Sequence, residues 1–218
     1  MAYFDAHCHL MADSAFLRAQ SKGVSTFIVN ATHPAEWEAI ADLQNRLLGI
    51  YFCAGIHPWY INSAESGWAD RLSAFLKKYP RAMVGEIGLD KKRPFFDQQL
   101  AVFNQSLEIA ATYNRAVHIH CVGAWDEMFE VISQYRELPM LFHRFSGDEV
   151  IIQKLRLFNA YFSVLNGRFI DIIPDKRLLV ETDSPDGLRT PSAIPALVQS
   201  LQLDTDQLNL NLASFLND

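Results

Sequence analysis

The chain predicts an eight-stranded parallel barrel surrounded by helices. Strand-like and helix-like runs alternate along its whole length, and eight of the runs read as strands. Several of the strand-like runs close on His, Glu or Asp, as though one end of a common sheet carried chemistry. The length of 218 residues clears the lower bound of about 200 for such a barrel. An open doubly wound sheet is the alternative architecture.

The first strand is Ala2 to Leu10, AYFDAHCHL. Alternation along a strand sends His7 and His9 to the same face, which makes them half of a divalent-metal site. Asp13 to Lys22 reads as a helix, with Asp13 as N-cap and Gly23 as its stop. Val24 to Asn30 is apolar on both parities, as a buried parallel strand should be. A helix over Pro34 to Leu48 stops at Gly49, and a third strand, Ile50 to Ile56, closes on His57-Pro58. Trp68 to Tyr79 is helical. Arg81 to Ile87 is the fourth strand, followed by a long amphipathic helix from Phe96 to Asn114. Arg115 to Cys121 is the fifth strand, Ala124 to Tyr135 a helix and Pro139 to His143 the sixth strand. Asp148 to Phe158 is helical, and Tyr161 to Leu165 is the seventh strand. Only a short helix fits before the eighth, Arg177 to Thr182. Helices over Ile194 to Leu201 and Thr205 to Leu216 complete the pattern. No repeat, low-complexity segment or linker divides the chain, so residues 1–218 are expected to form one barrel.

Half the residues are hydrophobic and a fifth are charged, the composition of a globular protein with a full core. No apolar run approaches the roughly 18 residues of a membrane span, and strand-like pattern begins at Ala2 with no signal peptide before it. A cytoplasmic protein with no membrane partner is expected, and a monomer. Cys8, Cys53 and Cys121 are odd in number and lie in strand-like runs, so they read as small buried residues rather than a disulfide framework. The net charge of −6 excludes a broad phosphate-binding surface but not a nucleic-acid substrate held by metals at one site.

The chemistry-bearing residues fall at matching places. His7 and His9 end the first strand, His57 the third, Glu86 the fourth, His120 the fifth, His143 the sixth and Asp183 the eighth. In a barrel those carboxyl ends share one face, where active sites lie. Imidazole and carboxylate ligands together suit Zn²⁺, Mn²⁺ or Fe, with Mg²⁺ open to a carboxylate-rich site, and a bridging carboxylate lets six ligands hold two ions. A lone histidine is more often structural than ligating. His33, in a loop before Pro34, stays in that class. His118 shares parity with His120 and reads as barrel packing or support for the ligands. Glu86 lies between apolar neighbours, which makes a solvated acid a poor account of it. Asp183 alone reads as a turn residue ahead of Ser-Pro. Seven such residues at one end make the metal reading stronger than chance.

The segments HCHL, GIHPW, VGEIGLD, HIHC, HRFSG and ETDSP resemble the TatD family of metal-dependent deoxyribonucleases, within the amidohydrolase-like superfamily. The likeness runs from Phe4 to about Pro185, and LNLNLASFL resembles that family's last helix. It implies a TIM barrel with two divalent ions, Mg²⁺, Mn²⁺ or Zn²⁺. His7, His9, Glu86 and Asp183 would hold one ion, and Glu86, His120 and His143 the other, with Glu86 bridging. His57 would face the substrate phosphate. The chain departs from the pattern in places. Val122 stands where the family has arginine, Lys91 where it has an aromatic residue, and Arg189-Thr190-Pro191 where it has a longer stretch. The segment between His143 and Asp183 is short.

The resemblance implies DNA as the substrate. The expected reaction is phosphodiester hydrolysis by a metal-activated water, with Asp183 orienting the water and taking its proton. Arg144, directly after His143, either partly replaces the missing arginine in substrate binding or serves as an ordinary surface residue. A barrel mouth with short loops favours single-stranded ends, hence an exonuclease. Trp59 and Trp125 fall near that mouth, where each can either stack on bases or pack under a helix. Three other classes remain open from the sequence: a hydrolase of a small ester, lactone or amide; a non-catalytic structural relative, against which the full ligand set counts; and a non-catalytic nucleic-acid-binding relative. The acidic charge counts against the last.

Overall fold

A computed structural model describes residues 2–188 and 190–217. Arg189, part of the shortened stretch after ETDSP, lies outside the described residues. Eight strands, β1 (Tyr3–His9), β2 (Val24–Asn30), β3 (Ile50–Ala54), β4 (Met83–Asp90), β5 (Val117–Val122), β6 (Met140–Phe142), β7 (Ala160–Val164) and β8 (Leu178–Val180), pair in parallel, each with the next in sequence. Helices α1 (Asp13–Gln20), α2 (Trp37–Arg46), α3 (Trp68–Lys78), α4 (Phe96–Thr112), α5 (Trp125–Ile132) and α6 (Glu149–Leu155) occupy the crossovers between β1 and β7. Two 3₁₀ turns, Gly167–Ile172 and Asp175–Arg177, replace a helix before β8, and α7 (Ile194–Ser200) and α8 (Thr205–Asn217) follow it. This is a single-domain (β/α)₈ TIM barrel.

The seam between β8 and β1 is closed just beyond the last residues of β8. The Asp183 N–H donates to the His7 carbonyl at 2.9 Å, and the His9 N–H donates to the Ser184 carbonyl at 2.8 Å. Below them the buried Asp5 carboxyl accepts from the Thr182 N–H at 2.9 Å and from the Thr182 hydroxyl. Burial, partly offset by those two bonds, pushes the Asp5 carboxyl up to about 7.

The helices bury one stripe each, at helical spacing. Leu72, Phe75 and Leu76 of α3 are buried, as are Phe103, Leu107 and Ala110 of α4. α8 crosses the amino ends of the strands. Its Asn211 amide donates to the Leu178 carbonyl at 2.8 Å, and the Phe215 ring sits 5.5 Å from His118, under the site. Gln99 of α4 holds the far end of β4, accepting from the Asp90 N–H at 2.8 Å and donating to the Asp90 carbonyl at 3.2 Å.

Three local expectations shift. Asp13 is not an N-cap: Ala12 holds that place, and the Asp13 carboxylate instead meets Arg46 at 2.9 Å. β4 runs on to Asp90, so Glu86 lies inside the strand rather than at its end. Gly88 permits that extension. Its φ is +146°, and a Cβ there would lie 1.9 Å from the His120 carbonyl oxygen, so no other residue fits beside β5. β3 and β6 are shorter than expected, ending at Ala54 and Phe142, which leaves His57 and His143 in the loops just past them. Cys8 and Cys53 are buried, Cys121 partly so, and all three are free thiols. Among the described residues, no helix is long and apolar enough to cross a membrane.

Candidate metal centre

The carboxyl ends of the strands bring His7, His9, His57, Glu86, His120, His143 and Asp183 to one place. Glu86 is at its middle, fully buried, with its two oxygens facing different groups. Oε1 lies 2.8 Å from His143 Nε2, 3.0 Å from His57 Nε2 and 3.1 Å from His120 Nδ1. Oε2 lies 3.2 Å from His7 Nε2 and 3.6 Å from His9 Nε2. Asp183 completes this second group, its Oδ1 at 3.1 Å from His9 Nε2 and 3.9 Å from His7 Nε2.

Backbone and carboxylate partners orient the rings. His9 Nδ1 faces the Asn30 carbonyl at 3.0 Å, so in the neutral ring that nitrogen keeps the proton and Nε2 is free to face the centre as a ligand atom. His120 Nε2 faces Asp90 at 3.6 Å, which leaves Nδ1 directed inward. His57 is the reverse case. Its Nδ1 accepts from the Trp59 N–H at 3.0 Å, so in the neutral ring Nε2 is the protonated nitrogen and a donor. His118 Nδ1 lies 3.4 Å behind His7 Nδ1, a supporting position rather than one in the centre.

The donor set fits a divalent cation. His120 Nδ1 and His143 Nε2 approach to 3.2 Å while both also face one carboxylate oxygen. Two imidazole nitrogens at that spacing match the edge of a tetrahedron with bonds of about 2.0 Å, the dimension of a zinc–nitrogen site. Three close-set groups emerge among the described residues: His7, His9 and Asp183; His57, Glu86 and His120; and His7, His143 and Glu181.

Electrostatics follow the packing. Burial opposes ionisation of Glu86, yet His143, His57 and His7 outweigh it and hold the carboxyl well below its usual range. Burial, reinforced by His143, drives His7 down to about 3. Burial also pulls on His9 and His120, but Asp183 and Glu86 beside the first, and Asp90 and Glu86 beside the second, hold each up at about 9. Burial lowers His57, consistent with a neutral ring. Asp183 is held low, against its burial, by His9, His143 and His7.

Arg144 comes from the turn after His143, at φ +42°, with its N–H donated to Glu181 at 2.7 Å. Its half-exposed guanidinium meets Asp183 Oδ2 at 2.8 Å. The two expected mouth tryptophans part ways. Trp59 is half exposed, with its indole N–H on Asp90 at 2.7 Å. Trp125 packs against Phe142 and Phe145, with both centroids at 5.8 Å, and belongs to the helix layer.

Sequence reasoning did not single out Glu181 or Asp90. Burial and neighbouring Asp183 push Glu181 far up, and Ser163 and Arg144 hydrogen-bond to it. Its signal was parity with Asp183 in the run ETD. Asp90 shares parity with Glu86, a signal hidden by ending the predicted strand at Ile87.

Curated relatives match at modest identity. A 3′-5′ ssDNA/RNA exonuclease TatD of Cronobacter sakazakii is 27% identical over 188 residues, covering 79% of this chain and 72% of that protein. The Erwinia amylovora protein of the same description is 26% identical over 234 residues, covering 90% of this chain and 88% of its own. Among solved structures, the TatD homologue YjjV of Escherichia coli K12 superposes with a TM-score of 0.86 at 22% identity, over 98% of this chain and 95% of that one. A TatD-family hydrolase of Entamoeba histolytica does so at 0.79 and 19% identity, over 100% of this chain and 95% of that one; likeness at these identities is one of fold. The family model for TatD-related DNases matches residues 4–201, and with that span the chain belongs to the TatD-related DNase family.

Proposed function

We propose that the protein hydrolyses phosphodiester bonds of single-stranded DNA or RNA from an end, with two divalent ions. The single observation that carries this is Glu86, buried between two groups of imidazoles with one oxygen toward each. His7, His9 and Asp183, with Glu86 Oε2, would hold one ion. His120 and His143, with Glu86 Oε1, would hold the other. Four imidazoles favour Zn²⁺ or Mn²⁺ over Mg²⁺. When bound, such ions supply Lewis acidity and lower the pKa of water from 15.7 toward about 7.

The remaining steps belong to the chain. Asp183 is ionised, so it orients the attacking water and takes its proton. Its neighbour Glu181 is pushed the other way by burial; its oxygens accept from the Arg144 N–H and the Ser163 hydroxyl, and it faces His143 Nδ1 at 3.8 Å, where it supports that ring. His57, a donor at Nε2, hydrogen-bonds a phosphoryl oxygen. Arg144 can leave Asp183 for the same phosphate. A cavity of about 50 Å³ over the ligands has room for a water or two. A monomer in a reducing, cytoplasmic setting is part of the same proposal.

The test is release of nucleotides from labelled single-stranded DNA and RNA, with and without chelator, beside a duplex and a panel of small esters and lactones. Metal-dependent release from the single strands is expected. Efficient ester turnover, with no cleavage of nucleic acid under Mg²⁺, Mn²⁺ or Zn²⁺, would overturn the nuclease reading.

A further inference from the structure

We infer that the single strand crosses the barrel mouth along a track centred on Arg144, with an arginine-on-aromatic platform at each side: Arg93 on Trp59, and Arg168 on Phe169. The inference rests on the nuclease reading and says where that substrate lies.

Three cavities open at the mouth, and Arg144 borders all of them. The first is the space of about 50 Å³ over the ligands. The second, about 450 Å³, lies among Trp59, Lys92, Arg93, Val122 and Ser146. The third, about 170 Å³, lies among Ser146, Asn166, Arg168 and Phe169. The chain as a whole carries a net charge of −6, yet this row presents Lys92, Arg93, Arg144 and Arg168. Two acids outside the proposed ligands border the row. Asp90 is already engaged by the Trp59 indole and the Lys92 N–H; Asp186 borders the first cavity.

The platforms are built alike. The Arg93 guanidinium carbon lies 3.9 Å from the Trp59 ring centroid, and that of Arg168 lies 4.9 Å from the Phe169 centroid. Other cation–aromatic pairs, such as Lys154 on Phe129 and Arg136 on Phe158, do not border these cavities. A planar guanidinium over an aromatic ring takes an unpaired base by stacking and a phosphate by hydrogen bonding. A duplex hides its base faces inside the stack and gains only the phosphate contacts. The site is therefore built for unpaired nucleotides on both sides of Arg144. It also accounts for the absence of arginine at position 122: Arg93 and Arg144 border the same cavity as Val122.

The test uses oligothymidylates of about 4 to 12 nucleotides, within the span of known single-strand sites, at saturating Mn²⁺. Wild type, Arg93→Ala, Arg168→Ala and the double variant are compared by KM, kcat and the salt dependence of KM. A small chromogenic phosphodiester serves as reference for each variant. Each single substitution is expected to lower kcat/KM on the longer oligonucleotides about tenfold relative to the small diester, through KM. The double variant should flatten the slope of log KM against log salt by about 1.4, or about 0.7 per lost phosphate contact. Arg93→Lys should restore the salt slope and not the full affinity, since it keeps the charge and loses the plane. Variants with wild-type KM and salt slope would overturn the track and leave the nuclease reading standing. Equal losses on oligonucleotide and small diester would also overturn it, by showing that the substitutions act through the centre. A wild-type protein that cleaves no single strand would overturn both.

Discussion

Asp183→Asn is expected to abolish turnover while costing little of the fold, and the structure lets both parts be weighed. Asp183 sits at φ +50°, in the left-handed region that asparagine and aspartate tolerate best. Its N–H closes the barrel seam onto His7, a bond that asparagine keeps. The side chain loses its charge against His9 and Arg144. The Arg144 pair has a half-exposed partner and is worth no more than about 1 kcal/mol. The part-buried His9 contact is a charge-assisted bond worth about 1.5–3 kcal/mol, part of which an amide oxygen retains. The net cost is about 1–2 kcal/mol. At about 2–4 °C per kcal/mol for a chain of this size, the melting temperature falls by a few degrees. Asp183→Ala adds about 1–2 kcal/mol for the left-handed backbone and should melt lower still. Both variants lose the proton acceptor, which is worth about 10²–10⁴ in rate. The expected pattern is two unequal melting temperatures and two equally inactive enzymes, read by thermal unfolding and by chelator-sensitive nucleotide release. An active Asp183→Asn would remove this carboxylate from the chemistry. Activity that tracked melting temperature through the series would show that Asp183 serves architecture only.

Glu86→Gln should reduce the bound metal below two ions per chain, since one amide cannot serve both groups as an anion; metal analysis after dialysis reads this, and full retention of two ions would refute the bridging role. Val122→Arg places a cation beside the cavity of Arg93 and Arg144 and should raise kcat/KM on DNA by up to about tenfold, chiefly through KM; unchanged kinetics would show the cavity already saturated with cations. Trp125→Ala should lower stability by about 3 kcal/mol, toward the lower end for a large aromatic in a core, without raising KM. Trp59→Ala should do the opposite, and denaturant melts beside steady-state kinetics separate the two.

The barrel was legible because alternating apolar runs and glycine stops repeat along the chain, and these depend on local pattern alone. Gly23 and Gly49, expected to stop helices, both sit at positive φ. His7, His9, Glu86, His120, His143 and Asp183 were legible as a group because a parallel barrel gathers one end of every strand. Ring orientation was not legible. Which nitrogen His57 and His9 turn toward the centre depends on the Trp59 N–H and the Asn30 carbonyl, which no spacing reveals. Glu181 and Asp90 were missed because an acid in an apolar run reads as an ordinary strand terminus until the packing around it is known. Asp13 misled for the opposite reason: the capping pattern is local, and the pull of Arg46 from α2 is not.

The seam of the barrel makes the centre a clasp. His9 and Asp183 are 174 residues apart in sequence, yet they belong to one group of donors. Each half of that group is carried by a strand that gains its last neighbour only when the ring closes. A nascent chain that has made β1 through β7 holds His7, His9, Glu86, His120 and His143 but not the carboxylate that completes their set. A cation gripped by both sides would resist the opening of the ring, so its tightest binding reports that the fold is finished. Contacts of such long range slow folding. Refolding with and without the ion would therefore differ most in the last phase, when the eighth strand docks against the first.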